Sequence, residues 1–229
     1  MTLQELNVEL LACRRCPRLV EWRERMAREK RRATLEWDYW GKPVPGFGDP
    51  KAKVFVVGLA PGAHGSNRTG RQFTGDASGD FLYPALYRAG FASQPNSVSR
   101  EDGLMLTDLY TAPICRCAPP ENKPTAQEMA NCQPYLKTEL ALIQPKIIVA
   151  LGRIAFEGTL RILKLNNRRW TAVRDPSSMI FSHNATFRLD AGHWLLSSYH
   201  PSRQNTQTGR LSVAMFDQVW MTVRDLMER

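Results

Sequence analysis

The sequence lacks several features that would place it in a membrane or secreted class. No apolar run approaches the ~18 residues of a membrane span, and the N-terminus does not show the basic-then-apolar layout of a secretion signal. Because both are missing, we expect a cytoplasmic protein. Acidic residues are also few, 22 against 31 lysines and arginines, which gives a formal net charge of +9. The positive charge favours a polyanionic partner such as nucleic acid, and the alternative is a generically cationic surface.

Both common phosphate-binding motifs are also missing, although one stretch is rich in glycine. Residues 53–79 read KVFVVGLAPGAHGSNRTGRQFTGDASG, a short apolar strand pattern followed by six glycines. There is no GxxxxGK[ST], and a GxGxxG would need a glycine where Ala60 stands. Glycines allow positive φ and close approach of the backbone to a ligand. The pattern predicts a ligand-binding loop between a strand and a helix, and a plain connecting loop is the alternative.

Only five cysteines are present, and in a reducing cytoplasm disulfides do not explain their spacing. Cys13 and Cys16 form a CxxC pair, and Cys115, Cys117 and Cys132 follow about a hundred residues later. Four thiolates drawn from these five favour a metal or iron–sulfur centre. The alternative is a set of scattered buried cysteines that pack as small hydrophobic side chains.

The N-terminal region is predicted to be helical and basic. Thr2 and Glu5 form a capping box, so a short helix should run into the CxxC pair. Residues 14–32 then hold nine basic and three acidic side chains at helix-compatible spacing. Such a run is either a solvated helix face or a surface that contacts the phosphate backbone.

The rest of the chain alternates between strand and helix patterns. Strands are predicted over residues 54–57, 103–110, 146–151 and 194–199, with helices near 81–89, 125–143, 153–165 and 213–223. Thr125 and Glu128 form a second capping box at the start of the helix over 125–143. Residues 168–188 are less periodic and are interpreted as short strands or loop. The alternation predicts a single α/β domain over residues 1–229, with residues 1–50 packed on it. Its fold class is a three-layer α/β/α sandwich around a mostly parallel four-stranded sheet. Loops 58–79, 115–124 and 200–205 all follow strands and should converge at one sheet edge.

Four motifs occur in order along the chain: CxxC, then GLAPGAHGSNRTGRQFTGDASG, then CAPPENKP with a cysteine fifteen residues after Cys117, then HPSRQN. This order, from Cys13 to Asn205, resembles the uracil-DNA glycosylase superfamily, specifically its iron–sulfur-containing family 5. The resemblance implies the uracil-DNA glycosylase fold and a monomeric, monofunctional enzyme of base excision repair. Such an enzyme flips uracil out of DNA, hydrolyses its N-glycosidic bond and leaves an abasic site. Hypoxanthine and other deaminated or modified bases are further candidate substrates.

The resemblance also implies a cofactor. Cys13, Cys16, Cys117 and Cys132 occupy the positions that hold a 4Fe-4S cluster in related enzymes, where the cluster is a structural staple. Cys115 has no such counterpart, and it is either a packed thiol or a substitute ligand.

The glycine-rich loop corresponds to the family's pocket for the flipped base. The residues assigned to base binding are Gly58, Ala60, Gly62, Ala63, His64, Phe73 and Asn122. Phe73 matches the aromatic residue on which the base stacks, a contact worth ~1–3 kcal/mol per base, and a core phenylalanine is the alternative. His64 and Asn67 are candidate lining residues without a firm family role. Asn122 is expected to contact the base or the DNA backbone.

Two residues are assigned to catalysis. Leu59, Ala60 and Ala63 are apolar at places where other branches carry a water-activating residue, so Asp76 is the nearest candidate for water activation or cation stabilisation. Its alternative role is to cap the following helix. His200 matches the histidine that donates a hydrogen bond to uracil O2 as the base departs. Its alternative is a histidine bonded to the backbone at a strand end.

The HPSRQN motif is predicted to contact DNA. Ser202 to Asn205 would form a loop that enters the minor groove, Pro201 would stiffen it, and Arg203 would contact phosphate or the opposite strand. Ala112 and Pro113 stand where several branches have an asparagine that reads uracil, which predicts looser selectivity. The rival hypotheses are a structural-metal nucleic-acid-binding protein without catalysis and a nucleotide-binding transferase, which would need a lysine that the first loop lacks.

Overall fold

The structure is a computed structural model that describes residues 1–165, 179–190 and 192–229. The helices are α1 (Leu3–Leu11), α2 (Pro17–Glu29), α3 (Ser66–Thr69), α4 (Ala77–Arg88), α5 (Ala126–Ile143), α6 (Arg153–Leu165), α7 (Arg203–Gln207) and α8 (Val213–Glu228). The strands are β1 (Phe47–Gly48), β2 (Val54–Gly58), β3 (Leu109–Pro113), β4 (Ile147–Leu151), β5 (Ala185–Arg188) and β6 (Trp194–Ser198). All these strands form one sheet in the order β1-β3-β2-β4-β6-β5.

The centre of the sheet is the predicted parallel unit. β3, β2, β4 and β6 pair in parallel, and β1 and β5 add antiparallel edges. β1 is only two residues long and lies inside a stretch rich in glycine and proline, so no periodicity marks it. β5 lies within residues 168–188, the segment interpreted as short strands or loop. Residues 166–178, which overlap the start of that segment, lie outside the described residues.

Apolar residues on both faces of the strands explain the three layers. In β2, Val54 and Val56 belong to the core that includes residues of α4 and α8. Phe55 and Val57 face the opposite core, which includes residues of α5 and α6. Because successive side chains of a strand point to opposite faces, one continuous apolar run buries both faces of the sheet. The predicted α/β/α sandwich is confirmed.

Several local predictions are confirmed and two are wrong. The capping boxes of α1 and α5 form as expected, and α6 has the predicted bounds. The second strand was placed over residues 103–110 but occupies Leu109–Pro113. Leu104 and Leu106 are buried but do not belong to that strand. Their alternating apolar positions resemble a strand pattern, and the prediction therefore began too early. The helix predicted near residues 81–89 begins earlier, at Ala77, so that Pro84 lies inside it.

The carboxyl ends of neighbouring strands bring the predicted loops together. Gly58 at the end of β2 is in register with Pro113 at the end of β3. Gly152 follows β4 and donates its N–H to the carbonyl of Ser198 on β6 at 2.8 Å. A Cβ on Gly152 would lie 3.3 Å from Cβ of His200. Within the described part of the chain, no helix combines the length and apolar character needed to cross a membrane.

Candidate active site

Gly58 sets the floor of the candidate pocket. A Cβ at this position would lie 2.8 Å from Nε2 of Gln72 and 2.9 Å from Cζ of Phe73. Contacts this short are forbidden to a real side chain, so only glycine lets the two residues approach the strand end. The glycine-rich loop therefore folds its own side chains back over the end of β2.

Phe73 and His200 are neighbours above this floor. Their ring centroids are 6.1 Å apart with an interplanar angle of 43°. Phe73 has a φ of +52° and is 4% exposed. A positive φ is unusual for a bulky residue and costs about 1–3 kcal/mol, and such strain clusters at ligand sites. The ring also belongs to the core that includes residues of α4 and α8. Phe73 is therefore both a core phenylalanine and a neighbour of His200 at the candidate pocket.

His200 presents an imidazole with no hydrogen-bond partner among the described residues, which contradicts the alternative of a ring bonded to backbone. Its backbone carbonyl accepts a hydrogen bond from Nδ2 of Asn205 at 2.8 Å, which anchors the turn after β6. Burial lowers the pKa of His200 from 6.5 to about 4. The ring is therefore neutral at pH 7 and carries one N–H donor for a ligand.

Asp76 uses its two carboxylate oxygens differently. Oδ1 accepts hydrogen bonds from the backbone N–H groups of Ser78 at 3.0 Å and Gly79 at 3.1 Å, so the residue is the N-cap of α4. Oδ2 faces the loop, since a Cβ on Gly62 would lie 3.2 Å from it. Burial raises the pKa of Asp76, against the opposing effect of the two backbone donors. The cap is thus present, and the second oxygen remains directed at the loop.

The other predicted lining residues hold the loop in shape. Nδ1 of His64 lies 3.0 Å from the hydroxyl of Tyr39, so the N-terminal connector anchors this ring. The carbonyl of Ala63 accepts a hydrogen bond from Nδ2 of Asn67 at 3.3 Å. Ala60 packs against the cluster that includes the cysteines. Asn122 is exposed with a φ of +57°, and its side chain makes no hydrogen bond with the described residues.

The HPSRQN segment differs from the predicted open loop. Ser202 is the N-cap of α7, with its hydroxyl accepting from the N–H of Asn205 at 3.4 Å. The segment is therefore the start of a short helix, and serine in front of helix-compatible residues is a signal that the sequence did contain. Pro201 is buried and restricts the turn without reaching the surface. Arg203 is exposed, and its guanidinium forms no hydrogen bond or ion pair with the described residues; its backbone carbonyl accepts from the hydroxyl of Thr206 at 3.3 Å.

The cysteines assigned to the cluster line one cavity. Its wall includes Cys13, Cys16, Cys117 and Cys132, whereas the fully buried Cys115 does not line it. Among the described residues, no group of three or more His, Cys, Asp or Glu side chains is arranged to hold a metal ion. A four-iron cluster requires its thiolates around a shared space rather than around one ion. The donor set around this cavity fits that requirement.

Three of these sulfurs accept hydrogen bonds from the protein. Nη1 of Arg23 donates to Sγ of Cys117 at 2.9 Å, Nδ2 of Asn131 to Cys16 at 3.4 Å, and the N–H of Arg116 to Cys132 at 3.5 Å. Donors aimed at sulfur stabilise the thiolate form that binds metal.

Sequence reasoning missed how the basic run over residues 14–32 is used. Arg18 makes a bidentate ion pair with Glu128 on α5, and Arg15 donates to the hydroxyl of Tyr135 at 2.8 Å. Arg23 is buried, and its carbonyl accepts from Nδ2 of Asn67 at 3.1 Å. These cations brace the cysteine site and join it to the glycine-rich loop. In the sequence they are indistinguishable from a solvated helix face.

Comparison with known proteins identifies the class to which this fold and site belong. Residues 45–224 match the uracil DNA glycosylase superfamily, and the chain belongs to that family. Within it, the chain is 51% identical to the type-5 uracil-DNA glycosylase of Thermus thermophilus, over 95% of this chain and 94% of that protein. It is 47% identical to the type-5 uracil-DNA glycosylase of Mycobacterium leprae, over 98% of this chain and 96% of that protein. It is 44% identical to the type-5 uracil-DNA glycosylase of Pyrobaculum aerophilum, over 92% of this chain and 87% of that protein. The predicted resemblance to the superfamily and its family 5 is confirmed.

Proposed function

We propose that this protein is a uracil-DNA glycosylase that hydrolyses the bond between uracil and deoxyribose in DNA and leaves an abasic site. The observation that carries the proposal is the pairing of Phe73 with an unpartnered, neutral His200 at the strand ends, in a chain whose relatives are type-5 uracil-DNA glycosylases. The extruded base would lie over the Gly58 loop against Phe73, and the exposed Arg203 would contact the DNA backbone.

His200 would stabilise the leaving base. Cleavage of the N-glycosidic bond moves negative charge onto the base and positive charge onto the sugar. A neutral imidazole aimed at uracil O2 donates its N–H most strongly when that charge develops, which is in the transition state. The lowered pKa of His200 keeps the ring in this form across neutral pH.

Asp76 would serve the sugar side of the reaction. Its Oδ2 faces the loop while Oδ1 holds α4, so capping and catalysis use different oxygens. A carboxylate there can accept a proton from the attacking water or stabilise the cationic sugar. The helix start keeps the group in place, which favours a preorganised site over a mobile one.

We propose further that Cys13, Cys16, Cys117 and Cys132 hold a 4Fe-4S cluster. When bound, the cluster would supply four iron–thiolate links between the N-terminal segment, the loop after β3 and α5. The protein supports this role through Arg23, Asn131 and the Arg116 N–H, each of which donates to a ligand sulfur. The centre would be structural, and the enzyme would act as a monomer and a single domain.

The function is tested with an oligonucleotide that contains one uracil. After incubation with the protein, alkali should break the strand at the uracil and leave a matched thymine oligonucleotide intact. An established glycosylase run in parallel shows that the assay works. Tight binding of the uracil oligonucleotide without strand breakage would instead favour a nucleic-acid-binding protein without catalysis.

A further inference from the structure

The side chain of Gln72 is buried at the candidate pocket and is left without a partner. Gln72 is 1% exposed, and its Oε1 is buried with no hydrogen bond in the described part of the chain. Its Nε2 also has no partner there; the backbone carbonyl alone is engaged, by the hydroxyls of Tyr83 and Thr74. Buried amides are almost always hydrogen-bonded, because an unpaired one forfeits its interaction with water.

The polar side chain next to Gln72 in the sequence, Arg71, is fully paired within the protein. Arg71, on one side, makes a bidentate ion pair with Asp102 and donates to the hydroxyls of Ser97 and Thr74. In the same loop, Oδ1 of Asn67 is also buried without a partner among the described residues, but its Nδ2 donates to the carbonyls of Arg23 and Ala63, whereas neither polar atom of the Gln72 side chain is bonded. The amide of Gln72 is excluded from that network, which is expected if its partner is a ligand.

The amide is placed where a flipped base would present its edge. Nε2 of Gln72 and Cζ of Phe73 lie 2.8 Å and 2.9 Å from the position that a Cβ on Gly58 would take. The adjoining strand ends offer no polar side chain, since Ala112 and Pro113 end β3 and Leu59 follows β2. Gln72 is therefore the amide that stands beside the stacking ring.

We propose that Gln72 reads the hydrogen-bonding edge of the extruded base, an inference that rests on the proposed glycosylase function. A carboxamide presents an acceptor beside a donor. Uracil offers N3–H beside O4, and hypoxanthine offers N1–H beside O6, so both match the same amide orientation. Cytosine and adenine present the reverse order. The chemical class selected is a base with adjoining N–H and carbonyl groups, the pattern that cytosine and adenine acquire when deamination converts them to uracil and hypoxanthine.

The test compares Gln72→Met, which keeps the volume and removes the amide, with wild type and with the exposed control Gln4→Met on α1. Loss of a bidentate base contact is expected to lower kcat/KM by about 5- to 150-fold, for uracil and hypoxanthine alike. The melting temperature should not fall, because the substitution removes an unpaired buried amide rather than a bond. Unchanged kcat/KM on both bases would overturn the inference, as would a loss of activity that accompanies a fall in melting temperature.

Binding of the free bases to wild type and Gln72→Met, in the presence of abasic oligonucleotide, gives a readout that does not need cleavage. If wild type binds uracil and Gln72→Met does not, but wild type never cleaves, the proposed function is overturned and the inference is kept. Active wild type whose uracil affinity is unaffected by the substitution would overturn the inference alone. Wild type that neither binds nor cleaves would overturn both.

Discussion

At the candidate pocket, the imidazole of His200 and the amide of Gln72 have no hydrogen-bond partner among the described residues, and the backbone of Phe73 is strained. At the adjoining cysteine site, by contrast, the sulfurs of Cys16, Cys117 and Cys132 each accept a hydrogen bond. A buried polar group without a partner is a candidate for completion by a ligand. Nε of Arg23 and Nε of Arg116 are also unpaired beside the cysteines, but these three sulfurs are themselves bonded. The contrast supports the proposal that the first region carries the chemistry and that the second is structural.

The two regions are also physically joined. Ala60, in the pocket loop, packs against the cysteine cluster. Arg23 donates to Cys117 through its guanidinium and accepts from Asn67 of the loop through its carbonyl. These contacts link the cysteine site to the pocket loop, so a centre with the proposed structural role would still influence activity.

The largest effect is expected at Asp76, where two substitutions separate its two roles. Asp76→Asn keeps a capping side chain and removes the carboxylate, whereas Asp76→Ala removes both. If Oδ2 handles water, both variants should lose ~10²- to 10⁴-fold in kcat, measured by single-turnover cleavage. Only the alanine variant should also lose about 1 kcal/mol of stability, roughly 2–4 °C in Tm.

The pH dependence sharpens this test. Because the pKa of Asp76 is raised above its usual value, an acidic limb in the rate profile should lie above 3.8 and should be absent in Asp76→Asn. Full activity of Asp76→Asn would show that the residue is a helix cap alone.

The next effect is expected at His200. His200→Ala should reduce kcat by ~10²- to 10³-fold, the usual loss when a donor to a developing anion is removed. Binding of abasic DNA should change little, and His200→Asn, which retains an N–H donor, should recover part of the rate. Turnover equal to wild type in the alanine variant would remove the assigned role.

His200 also has a predictable effect on stability. Its pKa falls from 6.5 in the unfolded chain to about 4 in the folded one, so only the unfolded chain takes up a proton between these values. The stability associated with the neutral ring is complete above 6.5 and is lost as pH falls toward about 4. Urea unfolding at pH 7 and pH 5 should therefore show a smaller loss for His200→Ala than for wild type.

The smallest effect on the reaction itself is expected at the cysteine site. Cys117→Ala should lose bound iron and visible absorbance, whereas Cys115→Ala should keep both, because only Cys117 lines the cavity. Cys117→Ala also removes the acceptor of Nη1 in the buried guanidinium of Arg23, which costs about 1–3 kcal/mol, although Nη2 keeps its bond to the carbonyl of Cys13. Activity should fall through loosening of the loop rather than through chemistry. Equal iron content in the two variants would contradict the ligand assignment.

The sequence predicted local structure well where the signal was itself local. The capping boxes at Thr2 and Thr125 mark helix starts because a cap depends on residues three positions apart. It failed where burial came from distant contacts. Leu104 and Leu106 are buried outside any named strand, so their pattern shifted the predicted strand by several residues. Ser202 caps a helix too short for periodicity to reveal.

The sequence by itself determined the family, the alternation of strands and helices, and the identity of the candidate residues. These follow from motif order and from side-chain periodicity, which need no knowledge of distant neighbours. Only the tertiary structure decided that Phe73 meets His200, that Arg23 reaches Cys117, and that Gln72 stands unpaired beside Gly58. Those contacts depend on the order of strands in the sheet, because that order sets which loops share its carboxyl edge.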